Sequence, residues 1–497
     1  MKKYLLSVCS LCLCAAASAQ GEYDALKYSQ TDITGSARYS GMAGAFGSLG
    51  GDMSSVGLNP AGIAVYRSSE FAFTPVLSYS TTKADFFGLN RDNSKMNLEL
   101  NSIGYVGSFR TTSSSVSNFN FGIAYNKIKD FNRDVTITGV NRPTSLMDRV
   151  SSDIGKTEPG DLTNLGYLSN SAGLIKRQSD GSYIPLKAGE LVRNNFNLQE
   201  SGSVGEYTFT LGANWAHFLY IGTSLGVQNV NYDMISSYHE YAGTTTNAFD
   251  FELRNAVSTT GGGVNVKLGA ILRPTASLRF GFALHSPTYY YLTDAFGSSM
   301  IPNGVYMNGV AVKGASIGEQ SLSYELITPG KLLYSMAYFF GKKGLVSLDC
   351  DVIDYREMTL KNEDGIPYDD TNTDISNHMR LTTNIRLGGE YRLTENVSLR
   401  AGTAWYQSAY KENSTKNNTT IYTAGTTPYY SFDTGTRYLS AGIGYRTGSF
   451  FLDAAVLQQS IGENFFDFLD LSTISSDKYA SLTSNRLNAI VSMGFRF

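Results

Sequence analysis

A strict period of two in the hydrophobic pattern limits this chain more than any other feature. Tyr207, Phe209, Leu211, Ala213 and Trp215 alternate with Thr208, Thr210, Gly212 and Asn214. Leu381, Ile385, Leu387 and Tyr391 are opposed in the same way by Arg380, Asn384, Arg386, Glu390 and Arg392. Val397, Leu399, Ala401 and Trp405, and then Leu439, Ala441, Ile443 and Tyr445, repeat the pattern against Ser398, Arg400 and Gly402 and against Ser440, Gly442, Gly444 and Arg446. Successive side chains of a strand point to opposite faces, so each segment has one greasy and one polar face.

The pattern predicts fourteen strands, near 70–81, 98–110, 118–131, 203–216, 219–233, 261–273, 277–292, 321–340, 345–360, 379–392, 397–410, 435–446, 450–461 and 485–497. The connections between them alternate in length. Residues 82–97 are long, 111–117 short, 132–202 very long, 217–218 short, 234–260 long, and Pro274-Thr275-Ala276 short. Short turns on one side and long loops on the other mark a transmembrane antiparallel β-barrel of the bacterial outer membrane, and an even strand count brings the first and last strands to the same side. The last segment agrees: Leu487, Ala489, Val491, Met493, Phe495 and Phe497 form one apolar phase ending on an aromatic carboxy terminus, which resembles the signal read by barrel assembly machinery. Pairing that strand with the first leaves no open edge in lipid, where each unsatisfied backbone group costs several kcal/mol.

Composition fits an exported all-β membrane protein. Lys2 and Lys3 precede the apolar run Tyr4 to Ala16, followed by Ala17-Ser18-Ala19, so residues 1–19 are expected to be a signal peptide. Of the cysteines only Cys350 lies beyond it, so no internal disulfide is expected in the mature protein. With 33 Tyr, 27 Phe and 50 Gly in 497 residues, aromatics and turn formers are plentiful. Lys and Arg number 40 against 43 Asp and Glu, which gives no basic footprint for nucleic acid. No apolar run after the leader, Leu332 to Phe340 included, reaches the roughly 18 residues of a membrane-spanning helix.

Residues 20–69 carry no alternation and are expected to start beneath the barrel, on the short-turn side, and either to fold back into a lumen lined by the polar strand phase or to form a loose periplasmic extension. Asp52 suits a cap for a turn at Met53 to Val56. Asn59-Pro60 reads as an N-cap with proline at the first helical position, leading into Ala61 and Gly62. The run Gly41, Gly44, Gly47, Gly50 and Gly51 allows close backbone approach to a wall.

The stretch GSARYSGMAGAFGSLGGDMSSVGLNPAGIA, Gly35 to Ala64, resembles the amino-terminal hatch of the FadL-type long-chain fatty-acid and hydrocarbon transporters, with Asn59, Pro60, Ala61 and Gly62 at its Asn-Pro-Ala turn. Leu278 to Pro287, the stretch LITPGKLLYSMAYFF, and Ile385 to Tyr406 are similar to later parts of that family, in order. The resemblance implies a monomeric fourteen-stranded barrel plugged by its amino terminus, taking up hydrophobic small molecules passively and releasing them through a gap in the wall after a kinked strand. Residues 118–131 would be that strand, yet they contain no proline, so a kink there would rest on Gly122 alone. Pro75 and Pro329-Gly330 are better placed for local bends, because proline cannot donate to a ladder; both also suit strand ends.

Two sets of side chains are candidates for the site. Leu146, Met147, Val150 and Ile154, with Leu162, Leu165 and Leu168, recur at helical spacing in the long loop. They form either an apolar capture groove or a lid of helices packed on each other. Arg279, Asp349, Asp351, Arg386, Glu390, Arg400, Arg446 and Asp453 fall on the inner phase and either line a water-filled diffusion porin or pin the amino-terminal segment. Gly222 to Gly226 matches the GxSxG of hydrolases, but it lies in an alternating strand rather than at a strand-to-helix elbow, so no enzyme is expected. His217, His239, His285 and His378 are dispersed, which offers no ligand set for haem or metal, and no cofactor is expected. Asn413 to Thr420 reads as solvated outer loop.

Overall fold

The computed structural model describes residues 21–86, 88–112, 115–186, 189–242, 249–307, 309–412, 426–468 and 479–497. The expected signal peptide and the Asn413–Thr420 loop lie outside the described residues. Eighteen strand segments form one antiparallel sheet closed on itself, and four pairs of segments continue one another, so the ring has fourteen strands. They are β1 (Glu70–Phe86), β2 (Leu89–Arg110), β3 (Val116–Asp130, continued by Arg133–Arg142), β4 (Val192–Trp215), β5 (Leu219–Ala242), β6 (Phe249–Leu272) and β7 (Leu278–His285, continued by Tyr289–Asn303). The ring goes on through β8 (Ala315–Ile327, continued by Lys331–Phe340), β9 (Gly344–Asp354, continued by Thr359–Asn362), β10 (Leu381–Arg392), β11 (Val397–Tyr406), β12 (Tyr430–Thr447), β13 (Phe450–Phe466) and β14 (Ala480–Arg496). Pairing of Glu70 with Arg496 and Asp85 with Ser481 closes it, and Ser69 and Phe497 exchange backbone hydrogen bonds of 3.0 and 3.1 Å beyond the last pair.

The outward phase is apolar where short turns join the strands. Phe209, Leu211, Ile221, Leu225, Val266, Leu268, Phe282, Tyr334, Leu387 and Val491 are exposed to the surroundings, and the intervening residues are buried inside. A cylinder that is oily outside and polar inside is stable only with lipid around it. Among the described residues no helix is long and apolar enough to cross a membrane.

The strands are longer than the pattern predicts. β4, β5 and β6 have 24 residues each, against the ~9–11 that a tilted strand needs to cross a bilayer. The excess rises past the membrane on the long-loop side. Residues 82–86 and 89–97, expected in a loop, belong to a hairpin that pairs from Ser78–Asn97 to Phe86–Leu89. The expected 132–202 loop shrinks to the span between Arg142 and Val192, because Arg133–Gly139 pairs with Asn194–Glu200. Above the lipid the outer face no longer has to be apolar, so the alternation fades there while the ladder continues.

Residues 21–66 fold into α1 (Glu22–Ser29), α2 (Ala37–Ser40), α3 (Met53–Val56) and a 3-10 turn at Pro60–Val65. The expected caps are present: Asp52 accepts from Ser54 N at 3.0 Å and Asn59 from Ala61 N at 3.1 Å. The expected starting point is corrected. Glu22 lies 2.5 Å from His378, at the end of helix α6 (Asp369–His378) in the long connection between β9 and β10. The described residues therefore start at the long-loop end, where Glu22 lies, and descend to β1. α1 buries Ala25, Leu26 and Tyr28 in the apolar cluster that also holds Leu146, Phe196 and Phe251, and this burial fixes its place.

Candidate functional site

The lumen has two storeys. In the lower one, residues 35–66 touch the inner phase of strands all round the ring, and small residues on both sides make the approach. A Cβ on Gly222 would collide with the Pro60 carbonyl, one on Gly281 with the Gly47 carbonyl, and ones on Gly388 and Gly402 with the backbone of Met42. Asn59 donates to Gly47 O at 2.7 Å and to Ala270 O at 3.3 Å, Pro60 and Ala61 lie against Gly222 and Gly269, and Gly62 packs on Gly50, whose φ of +62° suits glycine. Asn118 and Asn120 on β3 donate to the carbonyls of Ala64, Ile63 and Tyr66. A backbone segment without its own ladder thus has its polar groups met by the wall.

The inner-phase charges gather at the same level. One Asp349 oxygen accepts from the amides of Phe46 and Gly47 at 3.0 and 2.8 Å. Arg386 grips Asp351 through two bonds of 2.6 and 2.7 Å and lies 3.7 Å from Asp349. Arg400 joins Glu390 at 2.7 Å to Asp453 at 2.6 Å, and Arg38 of α2 meets Glu390 at 2.9 Å. Arg279 donates to Leu49 O at 2.8 Å and lies over the Phe339 ring. Arg446 lies over the Phe451 ring. Burial raises the Asp52 carboxyl above its ordinary range against the opposing charge of Arg38.

The upper storey is different in kind. Leu146, Met147, Val150 and Ile154 all face inward from α4 (Leu146–Ile154) and are at most 4% exposed. With Leu168 of α5 (Asn164–Ser171) they join Phe196, Leu198, Tyr232, Met234, Tyr238, Phe251, Leu253 and Phe465 in one cluster. Ser145 caps α4 in a capping box with Asp148. The helices roof the barrel and pack against its inner wall.

Beside α1 lies a cavity of about 150 Å³. Tyr23, Leu26, Phe131, Ile353, Tyr355 and Tyr406 give it an apolar lining, and Lys27, Asp32, Arg133, Glu200 and Arg486 a charged one. Arg133 pairs with Glu200 and, at 2.6 Å, with Glu463. Burial pushes the Tyr23 hydroxyl up to about 12, aided by the nearby Glu200 charge. A second cavity of about 130 Å³, below, is lined by Asn126, Glu206, Asn265, Lys267, His285 and Lys331 among others. Thr31 and Asp32 border both. Asp32 is held there by Ile128 O at 2.8 Å from its own amide, and by Asp130 N and Gln459 Nε2, each at 3.1 Å from its carboxylate. Sequence pattern pointed to neither cavity, since their linings come from many strands and from α1; the cluster of Tyr and Lys at Tyr23–Tyr28 was the available signal.

Ser224 of the GxSxG match accepts from the Thr210 hydroxyl at 3.0 Å inside the sheet. Among the described residues no group of three or more His, Cys, Asp or Glu is placed to hold a metal ion.

No protein-family profile matches the sequence, and no curated protein matches it. Solved structures do match the fold. A FadL homologue of Pseudomonas aeruginosa superposes with a TM-score of 0.53 at 16% identity, over 94% of this chain and 99% of the other. The toluene transporter TodX of Pseudomonas putida gives 0.52 at 13% identity over 94% and 99%. The CymD monoaromatic hydrocarbon channel gives 0.50 at 12% over 94% and 98%. Across nearly its whole length, the chain has the fourteen-stranded barrel fold of the FadL-type proteins.

Proposed function

We propose that this protein is a FadL-type transporter of the outer membrane, which takes up hydrophobic small molecules passively through a barrel stoppered by residues 20–69. Solutes enter under the α4–α5 roof, pass the cavity beside Tyr23, Leu26 and Phe131, and leave sideways into lipid. The observation that carries this reading is the apolar filling of the upper lumen, from Leu146 and Ile154 to Phe196 and Phe465. A general diffusion porin keeps a polar, water-filled interior, whereas an oily solute gains about 0.8 kcal/mol for each methylene it moves out of water. Such a solute needs apolar contacts on its path. The relatives of the same fold described as toluene and monoaromatic hydrocarbon transporters support the substrate class. The barrel acts as a monomer, and its terminal Phe497 is read by the assembly machinery.

The test pairs two measurements on the purified full-length protein. Uptake of radiolabelled dodecanoate and of toluene into proteoliposomes is expected to rise well above protein-free vesicles, while planar bilayers show no wide, steady ionic conductance. Steady conductance without uptake of either probe would establish the porin instead.

A further inference from the structure

The lipid-facing wall is not smooth everywhere. Between β6 and β9 it carries an apolar hollow of about 510 Å³. Two rows of outward side chains frame it. Ala270, Phe282, Tyr334 and Cys350 stand in register across the four strands, and Leu272, Phe280, Met336 and Leu348 lie one row closer to the short turns. In the first row the Phe282 and Tyr334 rings meet edge to face, 5.6 Å apart, with a small side chain on either side. That contrast in size leaves a groove in the surface.

The strand that leads down from the groove ends on cations. β8 passes outward Met336, Tyr338 and Phe340, all exposed, and turns through Gly341-Lys342-Lys343 into β9. Arg392, just past the outward Tyr391 of β10, donates its amide to the Lys343 carbonyl at 2.7 Å. Lys342, Lys343 and Arg392 therefore share one spot on the short-turn rim, and all three are exposed. Glu395 is the one carboxylate of the two turns, and Glu390, two residues before Arg392, is taken by Arg38 and Arg400. Among the described residues none of the three cations has an ion pair. Two other rim arginines are already engaged: Arg496 pairs with Glu70 at 2.5 Å, and Arg446 lies over the Phe451 ring.

The spacing of cations and groove fits one molecule. Met336 lies six residues up the strand from Lys342, about 20 Å at ~3.3 Å per residue. A strand tilt of about 40° makes that about 15 Å of depth, one leaflet of a hydrocarbon core ~30 Å thick. Phe340, Tyr391 and Leu393, each more than half exposed, stand between the two, as a belt at the edge of the lipid does. The cations are thus level with the phosphates of the periplasmic leaflet, where Lys and Arg keep their charged heads in water and form strong charge-assisted bonds to phosphate oxygens.

We infer that this face binds one anionic phospholipid of the periplasmic leaflet, its phosphate on Lys342, Lys343 and Arg392 and an acyl chain in the groove beside Phe282 and Tyr334. The site lies on the outside of the wall and is independent of what the lumen carries. A lipid held there ties the β8–β9 turn to the end of β10, and because it binds only the folded wall it stabilises it.

The test is a competition between two lipids with the same tails. The full-length protein in detergent is mixed with equal amounts of dioleoyl phosphatidylglycerol and dioleoyl phosphatidylcholine, and retained lipids are counted by native mass spectrometry. One phosphatidylglycerol is expected to be retained, favoured at least about tenfold over phosphatidylcholine, as three cations at an anionic head group imply. Lys342→Gln with Lys343→Gln and Arg392→Gln removes this preference, whereas Lys176→Gln with Arg177→Gln and Lys313→Gln, on the long-loop side, leaves it unchanged. Ala270→Phe fills the groove and is expected to lower retention of both lipids by about tenfold, through lost burial of the acyl chain. Heat-dependent gel mobility reports that each barrel is folded. Equal retention of the two lipids by the unaltered protein overturns the site, as does a preference that survives the rim substitutions or is lost with the long-loop ones. Unchanged retention in Ala270→Phe overturns it too, since the cations would then hold a phosphate without its tail.

Discussion

The two storeys of the lumen are built from opposite materials. Below, residues 35–66 are held by directional bonds: Asp349 takes two backbone amides, Glu390 is shared by Arg38 and Arg400, and wall glycines let the backbones touch. Above, Leu146, Phe196, Tyr429 and Phe465 are held by area and shape, with ring centroids 5.2–5.3 Å apart among the three aromatics. Directional bonds fix one arrangement and cost much to break by halves, whereas apolar contacts can be exchanged for those of an oily guest. The lower storey suits a stopper and the upper one a place that yields.

Five changes bear on this contrast. Removing residues 21–66 is expected to have the largest effect, turning a poorly conducting barrel into one with stepwise conductance in planar bilayers; an unchanged trace would break the contrast at once. Arg386→Ala leaves Asp349 buried without its cation and Asp351 with Lys331 alone, at 3.9 Å, and is expected to destabilise by about 3–5 kcal/mol, read from the denaturant midpoint. Phe196→Ala in the upper storey should cost a comparable ~3–5 kcal/mol but alter dodecanoate uptake without opening conductance. Should both variants act alike on conductance, the storeys are not functionally separate.

A smaller effect is expected at the tie between α1 and α6. Burial pulls the His378 imidazole down, but its hydrogen bond to Glu22 and the charges of Glu22 and Asp374 outweigh this and Lys411, raising it above its ordinary value. A raised histidine contributes stability that is fully present below the unfolded value near pH 6.5 and lost as pH rises through the folded one. Hydrogen exchange in residues 22–29 should therefore speed up as pH rises through that folded value, beyond the intrinsic base dependence, with His378→Ala showing no such step; the bond itself is worth about 1.5–3 kcal/mol. Smallest, Thr163→Ala removes the side-chain cap on Gly166 N of α5, at a cost of about 1 kcal/mol, and should loosen the roof without touching residues 35–66.

Much of this was legible in the sequence. The fourteen strands follow from alternation, because lipid demands an apolar outer face wherever it touches the sheet. Asn59-Pro60 announced its turn, since capping is local chemistry. Pro75 coincides with a register shift beside Thr74, and Pro329-Gly330 with the interruption of β8. What stayed hidden depends on the third dimension. The continuation of β3 and β4 above the membrane leaves no outward apolar phase, so Arg133–Arg142 and 192–202 read as loop. The height of Glu22 is set by a partner 356 residues away, and the side-by-side breaks at 286–288 and 328–330 appear only once the register is known.

The placement of α1 also constrains how the molecule is put together. The leading end of the folded chain rests at the far mouth, directly upstream of a strand whose partner is the very last to be made. Either some forty-five residues are drawn through a finished ring, past glycines that leave no room for a side chain, or the sheet is wound about them and its final seam zipped afterwards. Winding asks nothing to squeeze past, so the cylinder is best understood as a wrapper whose contents are loaded before it shuts.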